Sequence, residues 1–114
     1  MARTPLSFPK TYAKCEQFLD GRPGRTVQGI KSTGIEKNRD GTISILYHGT
    51  SVVLHHPDGT TTVNTGGWST TTTKKRINDF CHATVWQKDG VWYIQTSGTD
   101  AVQFKDGYTF KNRK

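Results

Sequence analysis

The sequence predicts a β-rich α+β fold: a curved antiparallel sheet or partly open small barrel of about seven short strands, with one or two short helices. Three observations predict it. From Thr42 to Thr73 β-branched residues dominate, no Lys or Arg occurs, and Asp58 is the only carboxylate, the composition of half-buried strands. Asp-Gly recurs at Asp40, Asp58, Asp89 and Asp106, each time between apolar runs, which is repeated hairpin chemistry. The 114 residues, 32% hydrophobic with three Trp, four Tyr and five Phe, suffice for one modest core and one domain.

Taken in order, residues 1–9 hold two prolines and no periodicity, the pattern of a flexible N-terminal arm. The domain spans 10–110. Lys10 to Asp20 reads as a short helix with Tyr12, Cys15, Phe18 and Leu19 on one face. Gly21 ends it, and Pro23-Gly24 prevents its continuation. Thr26 to Glu36 supplies one or two strands, including Thr33 to Lys37. Asn38-Arg39-Asp40-Gly41 reads as a hairpin turn of type I′ geometry. Ile43, Ile45 and Tyr47 then share one face, and Thr42, Ser44 and Leu46 the other. His48-Gly49-Thr50 interrupts the run before Ser51 to His56. Pro57-Asp58-Gly59 turns the chain into Thr60 to Asn64. Gly66-Gly67 turns again, toward a fourth strand from Trp68 to Thr73. Lys74 to Phe80 reads as a helix capped by Thr72 or Thr73. Ala83 to Lys88 and Val91 to Thr96 pair across Asp89-Gly90. Ala101 to Phe104 and Tyr108 to Phe110 suggest a last hairpin, and 111–114 is a basic tail.

The formal net charge is +7. It favours acidic partners, such as a nucleotide, nucleic acid or an acidic protein surface, and argues against a nucleic-acid mimic. No apolar run near the start resembles a signal peptide, and none reaches the roughly 20 residues of a membrane span. Cys15 and Cys81 follow no metal spacing and read as reduced, buried thiols of a cytoplasmic protein. His55-His56 are strand neighbours that point to opposite faces. With no Cys or carboxylate at ligand spacing, they make no zinc site, and no cofactor is implied.

The strongest anion-site candidate is Thr71-Thr72-Thr73-Lys74-Lys75-Arg76. A helix N-terminus there offers N–H groups, hydroxyls and three cations to a phosphate. An ordinary capped helix with solvated charges is the competing reading. Trp68, after Gly66-Gly67, is a candidate ligand contact or a packed core residue. Arg22 and Arg25 flank a turn, as an anion-binding pair or as solvated charges.

His48-Gly49-Thr50 and His82-Ala83-Thr84 are two copies of His-x-Thr. Paired motifs of this kind resemble those of the 2H phosphoesterases. That resemblance implies His48 and His82 as general acid and base, with Thr50 and Thr84 holding a phosphate, for metal-independent cleavage of a phosphodiester.

A broader resemblance rests on Leu46-Tyr47-His48-Gly49-Thr50, His56-Pro57-Asp58-Gly59-Thr60, Asn64-Thr65-Gly66-Gly67-Trp68-Ser69-Thr70 and Thr72-Thr73-Lys74-Lys75-Arg76-Ile77-Asn78. Phe18-Leu19-Asp20-Gly21-Arg22, Gly90-Val91-Trp92-Tyr93-Ile94 and Phe104-Lys105-Asp106-Gly107 extend it. From about Thr11 onward, the chain is similar to a family of small tailed-phage proteins. The resemblance implies a protein of the infected host's cytoplasm that binds a nucleotide, nucleic acid or a host protein. A counter-defence protein that sequesters a cyclic nucleotide signal is the expectation carried forward. Cleavage of that signal, or an accessory role on nucleic acid or a host protein, are the alternatives. Exposed sheet edges are compatible with a homo-oligomer.

Overall fold

The computed structural model describes residues 8–30, 32–67, 70–96 and 99–112. Among them are two helices, α1 (Tyr12–Leu19) and α2 (Thr71–Phe80), and nine strands. The strands are β1 (Gly24–Thr26), β2 (Thr33–Lys37), β3 (Ile43–Tyr47), β4 (Thr50–His55), β5 (Thr60–Val63), β6 (Ala83–Lys88), β7 (Val91–Thr96), β8 (Val102–Gln103) and β9 (Tyr108–Lys111). They form two open antiparallel sheets, one of six strands in the order β1-β2-β3-β4-β5-β9 and one of three, β6-β7-β8.

Two kinds of tight turn shape the sheets. At His48-Gly49 (φ 51° and 77°) and Asp89-Gly90 (φ 53° and 79°) both central residues are left-handed. That is the type I′ combination, whose twist matches the strands it joins. At Asp40-Gly41 and Asp58-Gly59 only the glycine is left-handed. The type I′ turn expected at Asp40-Gly41 is therefore a type I turn closed by a left-handed glycine, with the Gly41 N–H donating to the Asn38 carbonyl at 3.0 Å. Asp40 then accepts from both the N–H (2.9 Å) and the hydroxyl (2.6 Å) of Thr42. Asp58 accepts likewise from Thr60, at 2.9 and 2.7 Å. These bonds from the threonine hydroxyl and N–H hold both carboxyls below the usual range.

The large sheet buries one face. Ile35, Ile45, Val53 and Val63 are in register across four strands, and all are buried. A bulge leaves Val52 as the extra residue of β4, between the pairs Val53–Ile45 and Ser51–Leu46. It lets two consecutive residues be fully buried, which strict alternation forbids. Helix α2 supplies Thr73, Arg76, Ile77 and Phe80 to the core, one stripe at helical spacing. It packs on β3 and β4 of the large sheet and on β6 of the small one. Asn78 fastens it to β6. Its side chain accepts from the Val85 N–H at 2.6 Å and donates to the Val85 carbonyl at 3.1 Å, occupying a strand edge as a neighbouring strand would.

His55 ties distant segments together. Its Nε2 lies 2.8 Å from the Phe80 carbonyl, an acceptor, so Nε2 carries the proton. Nδ1 then accepts from the Thr61 hydroxyl at 2.8 Å. Asn112 reaches the same nitrogen at 3.5 Å, donates to the Lys10 carbonyl at 2.6 Å and accepts from the His82 N–H at 2.8 Å. Burial pushes the His55 pKa down to about 4, so the ring is neutral at pH 7.

Beyond the turn at Asp40-Gly41, four features differ from those expected. Thr71–Thr73 belong to α2, capped by the Thr70 hydroxyl on the Thr73 N–H at 3.2 Å, and are not the end of a strand. Threonine's high β-propensity hid a helix whose start its hydroxyl also favours. The last two strands make no hairpin: β8 pairs with β7 and β9 with β5. The small sheet is thus a separate layer, which local pairing signals could not reveal. Phe8 packs on Phe80, with ring centroids 5.0 Å apart, although it falls within the arm read from two prolines. Lys111, read as tail, is paired in β9 opposite Thr60. Trp68 lies outside the described residues.

Candidate functional site

Helix α1 begins where the Thr11 hydroxyl accepts from the Lys14 N–H at 3.2 Å. Cys15 and Leu19 pack into the core. The opposite side of the helix, with Phe8–Lys10 before it, walls an open groove of about 560 Å³. Lys10, Thr11, Lys14, Gln17, Phe8, Phe18 and His82 line it, and among the described residues no carboxylate does. The Arg25 guanidinium lies 4.6 Å from the centroid of the Phe18 ring and donates to the Phe18 carbonyl at 2.7 Å, adding a further cation beside the groove. The Lys10 ammonium donates to the Asn78 carbonyl at 3.1 Å, which fixes its position. Partial burial, with Lys10 nearby, lowers the pKa of His82. A ligand anion entering here would reverse the second of these effects.

This collection of cations and π faces suits an anion attached to a flat ring system. The larger cavity, about 630 Å³, shares Thr11 with the groove and is lined by His55, His56, Asp58, Thr60 and Asn112. The exposed Lys111 also lines it, but most of its other polar groups are committed within the fold. His56 is bonded to Thr62 at 3.0 Å, Asp58 to Thr60, and His55 and Asn112 as described. With a carboxylate in its wall, it suits an anion less than the groove does.

The structure scatters the residues read as an anion site at α2. Thr73 is fully buried, within 3.1 Å of the Thr70 hydroxyl. Arg76 is buried too: its Nε donates to Thr33 at 2.9 Å, and its guanidinium lies 5.6 Å from the centroid of the Tyr47 ring. Lys74 donates to Gln87 at 2.6 Å and covers Trp92. Thr71 and Lys75 remain exposed and Thr72 half-buried, with Lys75 3.6 Å from Asp79. Arg22 is exposed and shares a pocket with the pair formed by Glu16 and Lys37, whereas the Arg25 guanidinium lies on Phe18.

The two His-x-Thr motifs do not converge. His48 is exposed at the β3–β4 turn, 4.4 Å from Tyr47, and its N–H donates to Ser32. His82 stands near the opposite end of β4, linked through Asn112 to His55. At about 3.3 Å per strand residue the separation is on the order of 20 Å. Thr50 opposes Tyr47 and touches Gly66, whereas Thr84 is exposed on the outer side of β6. These four side chains cannot act on one phosphate.

The sequence reading gave Lys10 and Lys14 no role at a site and set Phe18 on the apolar face of its helix. The available signal was their four-residue spacing, which puts cations and an aromatic along one face of the predicted helix. Among the described residues no group of His, Cys, Asp and Glu forms a metal cluster, and no helix is long and apolar enough to cross a membrane.

No curated protein and no solved structure matches the chain. Residues 23–111 match the model of the Kyanoviridae Gp96 protein, a stretch that takes in all nine strands and α2. The chain belongs to this phage protein family.

Proposed function

We propose that this phage protein is an accessory binding protein that holds a phosphate-bearing nucleotide in the groove beside α1. The role fits counter-defence by sequestration of a nucleotide signal. One observation carries the reading: Lys10, Lys14 and His82 line one groove together with Phe8 and Phe18, and no carboxylate lines it among the described residues. Phosphate oxygens would meet the cations and the positive end of α1, and a base would lie against a phenyl ring. The separation of His48 from His82 supports retention of the ligand over its cleavage.

Thermal-shift screening with mononucleotides, cyclic dinucleotides and oligonucleotides tests it. At least one should raise the melting temperature, and Lys14→Glu, at an exposed position, should weaken that ligand about ten-fold or more through charge reversal. Binding should tighten as pH falls, because an anion favours the protonated form of His82. The ligand should be recovered intact. If no nucleotide or oligonucleotide stabilises the protein, the proposal fails.

A further inference from the structure

The outer face of the small sheet carries a second feature that the groove does not use. Trp86 on β6 lies directly opposite Tyr93 on β7. Their rings are stacked, with centroids 5.9 Å apart and planes 25° from parallel. Both are half-buried, while Thr84, Gln95 and Gln103 around them are exposed. The core-facing residues of these strands are Ala83, Val85, Ile94 and Thr96. The aromatic pair is therefore on the side turned away from the core. Lys88 alternates onto that side as well. No residue that alternates onto this face is a carboxylate; Asp89 lies beyond it, in the turn.

The face continues into the groove. The chain bends at Cys81 and His82, but burial alternates through the bend into β6: Cys81 and Ala83 are buried, His82 is half-buried and Thr84 exposed. His82, Thr84 and Trp86 thus follow one another along one side of the strand. From His82 to Trp86 is at most about 13 Å, the span of four extended residues at about 3.3 Å each, close enough for one oligonucleotide to reach both.

We infer that the ligand class of this protein is single-stranded nucleic acid, whose phosphates occupy the Lys10–Lys14–His82 groove and one of whose bases stacks on the Trp86–Tyr93 pair. The inference rests on the proposed groove for the phosphates and adds an independent contact on the sheet. Stacked aromatics on an open antiparallel face accept any base, because every base has a π face. Thr84, Gln95 and Gln103 offer neutral hydrogen-bonding groups around the pair. A net charge of +7 and a carboxylate-free path give the charge complementarity that a polyanion needs. Binding would be tolerant of sequence, since nothing on the face is arranged to read base edges.

The test compares two probes, fluorescein-labelled dT12 by anisotropy and thymidine triphosphate by calorimetry, with melting temperatures recorded for each variant. Wild-type protein should bind dT12 more tightly than the triphosphate, with an affinity that falls steeply with salt. Trp86→Ala should weaken dT12 about ten-fold or more and leave the triphosphate unchanged. Trp86→Phe should keep most of the dT12 affinity while losing part of the tryptophan quenching by unlabelled dT12. That quenching is a readout that a merely destabilised protein would not give. Lys14→Glu should weaken both probes.

Equal dT12 affinity in wild type and Trp86→Ala overturns the inference, as does wild type that binds the triphosphate but not dT12. In both cases the groove stands. Binding of dT12 that depends on Trp86 and ignores Lys14→Glu keeps the sheet platform and removes the groove. If neither probe binds, both proposals fall.

Discussion

Acid should loosen this fold through His55. The ring is 1% exposed, carries its proton on the nitrogen facing the Phe80 carbonyl, and accepts from Thr61 on the other. A second proton on Nδ1 would turn the Thr61 hydroxyl from donor to acceptor and displace the Asn112 amide. The pKa accordingly falls from 6.5 to about 4, chiefly by desolvation. The sign follows from which state binds the proton. Between these values the unfolded chain is protonated at this site and the native chain is not. Stability is therefore fully present above pH 6.5 and is lost as pH falls toward 4. At about 1.4 kcal/mol per pH unit the full effect is roughly 3 kcal/mol, of which about 2 kcal/mol is lost between pH 7 and pH 5. Urea unfolding at those two pH values measures it. With a slope of about 1–2 kcal/mol/M, the midpoint should fall by about 1–2 M from this residue alone. His55→Gln keeps a donor and an acceptor but cannot titrate. It should lower stability at pH 7 and remove this part of the pH dependence, leaving the contribution of His82 in both proteins. Parallel pH profiles for wild type and His55→Gln would refute the argument.

Other consequences follow from the packing. At Gly66 (φ +61°) an added Cβ would come 2.1 Å from the Thr50 methyl carbon, so Gly66→Ala should cost about 1–3 kcal/mol. Part of that loss should be recovered in Thr50→Ser, by the same urea assay. Both cysteines are free and buried, their thiols pushed up to about 12 by desolvation; a thiol reagent at pH 8 should label neither in the folded protein and both in denaturant. Asn78→Ala would strip the Val85 N–H and carbonyl of their partners. It should cost about 2 kcal/mol and open the β6 edge to association, seen as concentration-dependent mass in size-exclusion chromatography with light scattering.

The strands were legible where local chemistry decides them. Thr33–Lys37, Ala83–Lys88 and Val91–Thr96 have the ends that their turns and alternation announce. Reading failed where a distant partner decides. Nothing near Tyr108 says that it joins β5 instead of Val102, because that choice is made by the core under Val63 and Phe110. The Thr-Lys-Arg run at α2 looked like an anion site because its types and order are right. Its fate depends on which way each side chain turns, and burial of Ile77 and Phe80 takes Thr73 and Arg76 inward with them. The groove was illegible for the opposite reason. It joins α1 to His82, residues some 70 apart in sequence that only the folded core brings together.

Amide chemical-shift mapping with a bound nucleotide, thymidine triphosphate at first, tests the central claim most directly. The largest shifts should fall on Lys10 to Phe18 and on His82, and Lys14→Glu should move them to about ten-fold higher ligand concentration. Shifts centred on Thr71 to Lys75 at the start of α2, or no shifts from any nucleotide or oligonucleotide, would contradict it.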